Sequence, residues 1–230
     1  MFFFDPRYFL FVMPAILLML YAQSRVKSAF HKYSQVMNHQ GLTGAEVARR
    51  LLDANGLYDV GIEMIDGELT DHYDPRSHTL RLSRSVYLSR SVAALGIAAH
   101  ETGHALQQQT RYAPLGVRSA IAPVAAVGTQ FGVIMIIAGV LIQLSALAWL
   151  GIAFFGLATV FALVTLPVEF NASSRALAML QTNGLVDLAE YRQDKDMLNA
   201  AALTYVAGFL AALMQLLYWV SLVGGGGRRN

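Results

Sequence analysis

Cysteine is absent from this chain of 230 residues. Its absence excludes disulfides and thiolate metal ligands, so any metal site must draw on His, Asp, Glu or water. Charge is scarce too. Asp, Glu, Lys and Arg make up 14% of the residues, where a soluble domain carries roughly a quarter. The formal net charge is only +2, which supplies no basic surface for nucleic acid. Internal repeats are missing as well. What the chain has in quantity is apolar surface: 55% of its residues are hydrophobic, and they come in blocks. Composition therefore points to a membrane protein.

Four apolar stretches stand out: about Tyr8 to Ala22, Ala120 to Leu141, Ala146 to Leu166, and Leu203 to Val223. The second and third contain no charged residue and are separated only by Ile142 to Ser145, so they form a tight helical hairpin. About 20 apolar residues cross a bilayer core as a helix, and three of the four stretches reach that length. The first is shorter, and Ala22-Gln23-Ser24 after it weakly resembles a signal-peptide cleavage site. Its flanks argue instead for a retained anchor, because Asp5 accompanies Arg7 before the run and Arg25, Lys27 and Lys32 follow it.

Of 17 Lys and Arg, 14 lie between Arg25 and Lys195, leaving Arg7, Arg228 and Arg229 on the other side of a four-span arrangement. Those nearest the membrane ends, including Arg111 and Arg118, place both large polar segments in the cytoplasm. The expected organisation is an anchor at 1–24, a catalytic unit at 25–119 and a membrane hairpin at 120–166. A helical segment at 167–202, a last span at 203–223 and a flexible Gly-rich tail at 224–230 complete it.

Within the first polar segment, Thr43 to Ala54 is predicted to be a helix, with Thr43 and Glu46 as a capping box and Gly56 as its stop. Val60–Ile65 and Glu68–Tyr73 read as strands joined by an Asp66-Gly67 hairpin turn, and Thr79–Ser83 as a further half-buried strand. A second helix is expected from about Ser91 to Gln109. The segment 169–200 reads as helix, broken at Asn183-Gly184. The fold class is thus mainly α, with about four transmembrane helices and a small α+β unit containing a short antiparallel sheet.

The chemistry is concentrated at His100-Glu101-Thr102-Gly103-His104, an H-E-x-x-H motif inside that second helix. Residues four apart share a helix face, so both imidazoles reach one ion. Glu101 stands beside them as the general base that takes a proton from a water activated by the metal. A catalytic zinc takes three protein ligands and keeps one position open. With no cysteine, the third is expected to be Glu169, directly after the third apolar stretch, where a carboxylate needs a partner. The hairpin also returns the chain to the face it left after Arg118.

Ser173, one turn beyond Glu169, is placed to hydrogen-bond a ligand histidine, and Asn171 lies beside it. Arg175 and Tyr191 are candidates for stabilising a tetrahedral oxyanion. His72 falls on the strand face opposite Asp71 and Tyr73, and reads as structural, on a strand along which an extended substrate aligns. His31, His39 and His78 sit among polar residues and read as solvated.

The chain resembles the YugP-like neutral zinc metallopeptidases, a family of bacterial membrane proteins. The resemblance rests on Gly41-Leu42-Thr43-Gly44-Ala45-Glu46-Val47-Ala48, on Asp71-His72-Tyr73-Asp74-Pro75 with Leu80-Arg81-Leu82-Ser83, and on Ala98 to Ala105 around the zinc motif. It continues through Pro167-Val168-Glu169-Phe170-Asn171-Ala172-Ser173 and Ala200 to Val206, and so covers nearly the whole length. It implies a zincin-like peptidase in the bacterial cell (inner) membrane, with one Zn2+ per chain held by the histidine pair and a downstream Glu. Asn171 stands where many relatives carry Asp. Ser173 replaces the Asp of the E-x-x-A-D pattern found in the wider group.

The expected activity is metallo-endopeptidase cleavage of peptides or membrane proteins at the cytoplasmic face, with the bilayer and a peptide substrate as partners. An assembly partner or a second copy is compatible with the same chain. Two other readings compete with this one. An intramembrane protease of the site-2 type places H-E-x-x-H in a spanning helix, whereas Glu101, Gln107, Gln108, Gln109 and Arg111 crowd the motif here. A non-enzymatic scaffold with a structural zinc needs a fourth protein ligand, for which His72 is the one candidate.

Overall fold

A computed structural model describes residues 6–226. Asp5, Arg228 and Arg229, used in the charge argument, lie outside the described residues. In chain order the elements are α1 (Pro6–Ser34), α2 (Gly44–Ala54), β1 (Gly61–Ile65), β2 (His72–Asp74), β3 (Thr79–Ser83), α3 (Arg84–Tyr87), α4 (Val92–Gln109), α5 (Ala113–Leu141), α6 (Ser145–Thr182) and α7 (Leu188–Gly226). The helical part of the expected tail reaches Gly226, and 227–230 are not described. The chain divides into two compact units, one of residues up to Gln23, Gly116–Pro167 and from Leu203, the other of Ser24–Leu115 and Val168–Ala202.

The first unit is made of the apolar parts of α1, α5, α6 and α7, the four helices among the described residues long and apolar enough to cross a membrane. Phe131, Ile134, Leu150, Val160 and Leu163 are exposed on it, as lipid-facing side chains must be. Inside, Val12, Ile136, Ile152, Phe155, Tyr218 and Trp219 pack together. The α5–α6 hairpin closes on glycine. A Cβ at Gly128, Gly132 or Gly139 would come within 2.7, 2.8 and 2.5 Å of α6 backbone atoms, the close approach that small residues allow between membrane helices.

The second unit has a core of Phe30, Tyr33, Val47, Leu51, Leu95, Ala99, Ala176, Leu180 and Leu198. α2 begins with the capping box formed by Thr43 and Glu46, and Gly56 follows its end at φ 72°. Ser91 caps α4, its hydroxyl accepting from the Ala94 amide. The break between α6 and α7 falls at Asn183 to Asp187, with Gly184 at φ 62°.

The sheet corrects one expectation. It is mixed, not antiparallel, with strand order β1-β3-β2: β1 runs parallel to β3, and β2 antiparallel to it. The Asp66-Gly67 hairpin between β1 and β2 therefore does not form a paired ladder. The reason is burial. Leu80 and Leu82 of β3 are fully buried, whereas β1 is largely exposed, so β3 takes the centre. The turn signal at Asp66-Gly67 is local, and it yields a loop closed by the Thr70 hydroxyl on the Asp66 carbonyl. The chain then crosses past β3, where the Asp71 carboxylate accepts from the Ser83 amide and hydroxyl and holds the start of β2 in place.

Candidate metal centre

α4 carries small residues on the side that meets α6. Gly103 lies between the two histidines of the motif, and a Cβ there would stand 2.6 Å from the Ala172 carbonyl oxygen. The helices touch backbone to backbone at this point, so side chains one turn either way are brought together. His100 and His104 stand in T-shaped contact, ring centroids 4.8 Å apart. Both aim Nε2 at one atom, Glu169 Oε2, at 3.3 Å from His100 and 3.5 Å from His104. The ligand atoms of the three residues all lie within 4.8 Å of one another.

Glu169 is 2% exposed. Burial raises its carboxyl pKa, but the hydrogen bonds and charge of His100 and His104 outweigh that and hold it well below the usual carboxylate range. For His104 burial works downward, and is overcome by the bond to Glu169, by the charges of Glu101 and Glu169, and by the bond to Gln107, for a net rise. Both shifts express one fact: the imidazoles and the carboxylate stabilise one another's charged forms. Two imidazole nitrogens and a buried carboxylate oxygen converging on one point are a zinc donor set of the His2Glu kind. The residues present therefore fit the ion.

Glu101 is 8% exposed and lies outside the trio. Its Oε2 accepts from the Tyr73 backbone amide at 2.9 Å, so strand β2 orients the carboxylate. Burial is the main cause that raises the Asp71 carboxyl, opposed by Ser83 and assisted by the nearby charge of Glu101. Ser173 Oγ lies 3.2 Å from His100 Nδ1. Asn171 Oδ1 accepts from Arg175 Nε at 2.7 Å, and the Arg175 guanidinium stands 5.9 Å from the centre of the Tyr112 ring. The structure brings Tyr191 into no hydrogen bond with the trio among the described residues; it stands in the first turn of α7 beside Glu190.

His72 is exposed, its Nδ1 against the Thr70 carbonyl, and is not grouped with His100, His104 and Glu169. His39 is not merely solvated, since its ring and backbone amide both meet the buried Glu190 carboxylate. That carboxylate also accepts from the Asp187 amide, while Asp187 accepts from the Ala189 and Glu190 amides, which makes the group a cap for α7. Sequence reasoning missed two participants. In the sequence Gln107 stands with Gln108 and Gln109 as polar crowding after the motif, yet it is fully buried against His104. Its spacing of three from His104 was the available signal. The Tyr73 amide left no signal, because every residue but proline has one.

A family model described as "Putative neutral zinc metallopeptidase" matches residues 8–224. The chain belongs to this family. It is also 46% identical, over 223 residues, to the "Putative membrane protease YugP" of Bacillus subtilis (strain 168), an alignment that covers 96% of this chain and 99% of that protein. No solved structure matches it.

Proposed function

We propose that this chain is a membrane-bound zinc endopeptidase that holds one zinc ion on His100, His104 and Glu169 and cleaves peptide bonds at the cytoplasmic face of the bacterial cell membrane. The observation that carries the reading is the convergence of three ligand atoms within 4.8 Å, with no fourth His, Asp or Glu joining them among the described residues. A structural zinc fills all four positions with protein ligands, whereas a catalytic one keeps a position open for water or substrate. Zinc, when bound, supplies Lewis acidity that activates a water and polarises the substrate carbonyl.

The protein's own groups do the rest. Glu101, held by the Tyr73 amide, takes the proton of the attacking water and passes it to the leaving amine. Ser173 and Gln107 engage the Nδ1 atoms of the two histidines and leave both Nε2 atoms turned inward. β2 lies at the end of the sheet, next to α4, where an extended peptide can align alongside it while the Tyr73 amide stays on Glu101. Arg175 and Tyr191 remain the candidates for the oxyanion, with Arg175 linked to the ligands through Asn171 and Gln107.

α4 packs on the sheet and is not one of the four helices apolar enough to span, which favours a surface site over an intramembrane one. The test is metal content paired with proteolysis of membrane fractions. Wild type is expected to hold about one zinc per chain, His100→Ala and Glu169→Ala to lose it, and Glu101→Gln to keep it while cleavage falls by roughly 100-fold or more. Stoichiometric zinc in both ligand variants, or cleavage retained by Glu101→Gln, overturns the reading.

A further inference from the structure

Gln107 is the one fully buried glutamine of the motif helix. Its side chain makes three polar contacts: Oε1 to His104 Nδ1 at 3.0 Å, and Nε2 to the Val168 carbonyl at 2.7 Å and to Asn171 Oδ1 at 3.0 Å. An amide can be turned over in principle, but here the neighbours decide its direction. A guanidinium nitrogen only donates, so Arg175 Nε makes Asn171 Oδ1 an acceptor. A backbone carbonyl only accepts, so Val168 demands a donor as well. Gln107 must therefore turn its NH2 group to α6 and its carbonyl to His104. That carbonyl needs an N–H opposite it, so Nδ1 of His104 carries a hydrogen, and the neutral ring that a metal requires offers its lone pair from Nε2.

We propose that Gln107 is a positioning residue that sets the tautomer of His104 and ties that ligand, through Asn171 and the Val168 carbonyl, to the helix carrying Glu169. The proposal rests on the zinc-site reading above. It makes two acceptors on α6, the Val168 carbonyl and Asn171 Oδ1, decide through Gln107 which nitrogen of His104 carries a hydrogen. It also assigns Asn171 a purely accepting role, which a carboxylate at that position would serve equally well.

The test uses the full chain in detergent and reads Zn2+ affinity by competition with a chromophoric chelator, together with the visible spectrum of the Co2+-loaded protein. Gln107→Met keeps the length and removes the polar groups. It is expected to weaken zinc binding by roughly 10- to 100-fold and to alter the cobalt bands. Asn171→Asp preserves both accepted bonds and is expected to keep His104 protonated on Nδ1. Histidine 15N spectra of the zinc-loaded wild type are expected to show His104, assigned by comparison with His104→Ala, protonated on Nδ1.

Wild-type affinity and cobalt bands in Gln107→Met, with zinc still lost in His100→Ala, overturn the role of Gln107 and leave the metal site standing. Absence of zinc from wild type overturns both. If Gln107→Met does not fold, the wild-type spectrum decides: an unprotonated Nδ1 on His104 overturns the proposal, and a protonated one, kept in Asn171→Asp, supports it.

Discussion

At the scale of single residues, Asp194 is the most informative of the few buried polar side chains of the second unit with an unpaired atom. It is fully buried, both of its carboxylate oxygens lack a hydrogen-bond partner among the described residues, and it lies against α4 where Gly96 leaves room for it. Burial, with a contribution from the charge of Glu190, pushes its carboxyl well above the ordinary value. The sign of the linkage follows. A carboxyl whose folded pKa is raised contributes stability in full below its unfolded pKa, and that contribution is lost as pH rises through the folded pKa. Asn mimics the neutral acid and carries no charge at any pH. Asp194→Asn is therefore expected to raise the melting temperature above neutral pH, by an amount worth about 1–3 kcal/mol. The gain should shrink towards zero near pH 4, near the free carboxyl value of about 3.9. Thermal unfolding in detergent across that range checks it, and a gain that grows with acidity would contradict the assignment.

At the scale of elements, the decisive event is the crossing of α4 over α6. Neither helix is unusual by itself. α4 has the small residues Ala98, Ala99 and Gly103, and α6 has Ala172 and Ala176. Their meeting at Gly103 and Ala172 sets the distance between the histidine pair and Glu169. Backbone cannot yield to a methyl group as a flexible side chain can. Gly103→Ala is accordingly expected to cost about 1–3 kcal/mol through overpacking. It should also weaken zinc binding, although no ligand has been altered. Metal affinity and melting temperature measured together check this; unchanged affinity would show that the crossing has slack. The sheet teaches a related lesson. Alternation identified β3 as a strand, but its neighbours were chosen by the burial of Leu80 and Leu82. The Asp66-Gly67 turn marked where the chain bends and not which strand it would join.

At the scale of the whole molecule, an even number of spans returns both polar segments to one side of the membrane, and basic residues select which side. The missing cysteine makes this directly testable, because any cysteine introduced is unique. Arg76→Cys and Lys195→Cys, both at exposed positions, are expected to react with a membrane-impermeant maleimide only after cells are opened. Gln143→Cys, exposed in the α5–α6 turn, is expected to react in intact cells. The reverse pattern would put the proposed metal site at the outer face while leaving its chemistry unchanged.

Features that repeat along the chain or sit close together in it were legible from the sequence alone. Long apolar runs declared the spans, because a bilayer demands an uninterrupted hydrophobic length. The H-E-x-x-H spacing declared two histidines side by side with a carboxylate next to them, because a helix places residues four apart on one face. Thr43 with Glu46 and Ser91 declared where helices start. Glu169 could be singled out only by its chemistry and its place after a span, since nothing local ties it to residues more than 60 positions earlier. Only the tertiary structure decided that Glu169 meets the histidines, that β3 is the central strand, and that Gln107 is part of the site and not of its solvated fringe. These depend on which surfaces exclude water together and which backbones approach closely enough to touch. Such outcomes belong to pairs of distant segments, and no window of sequence contains both members.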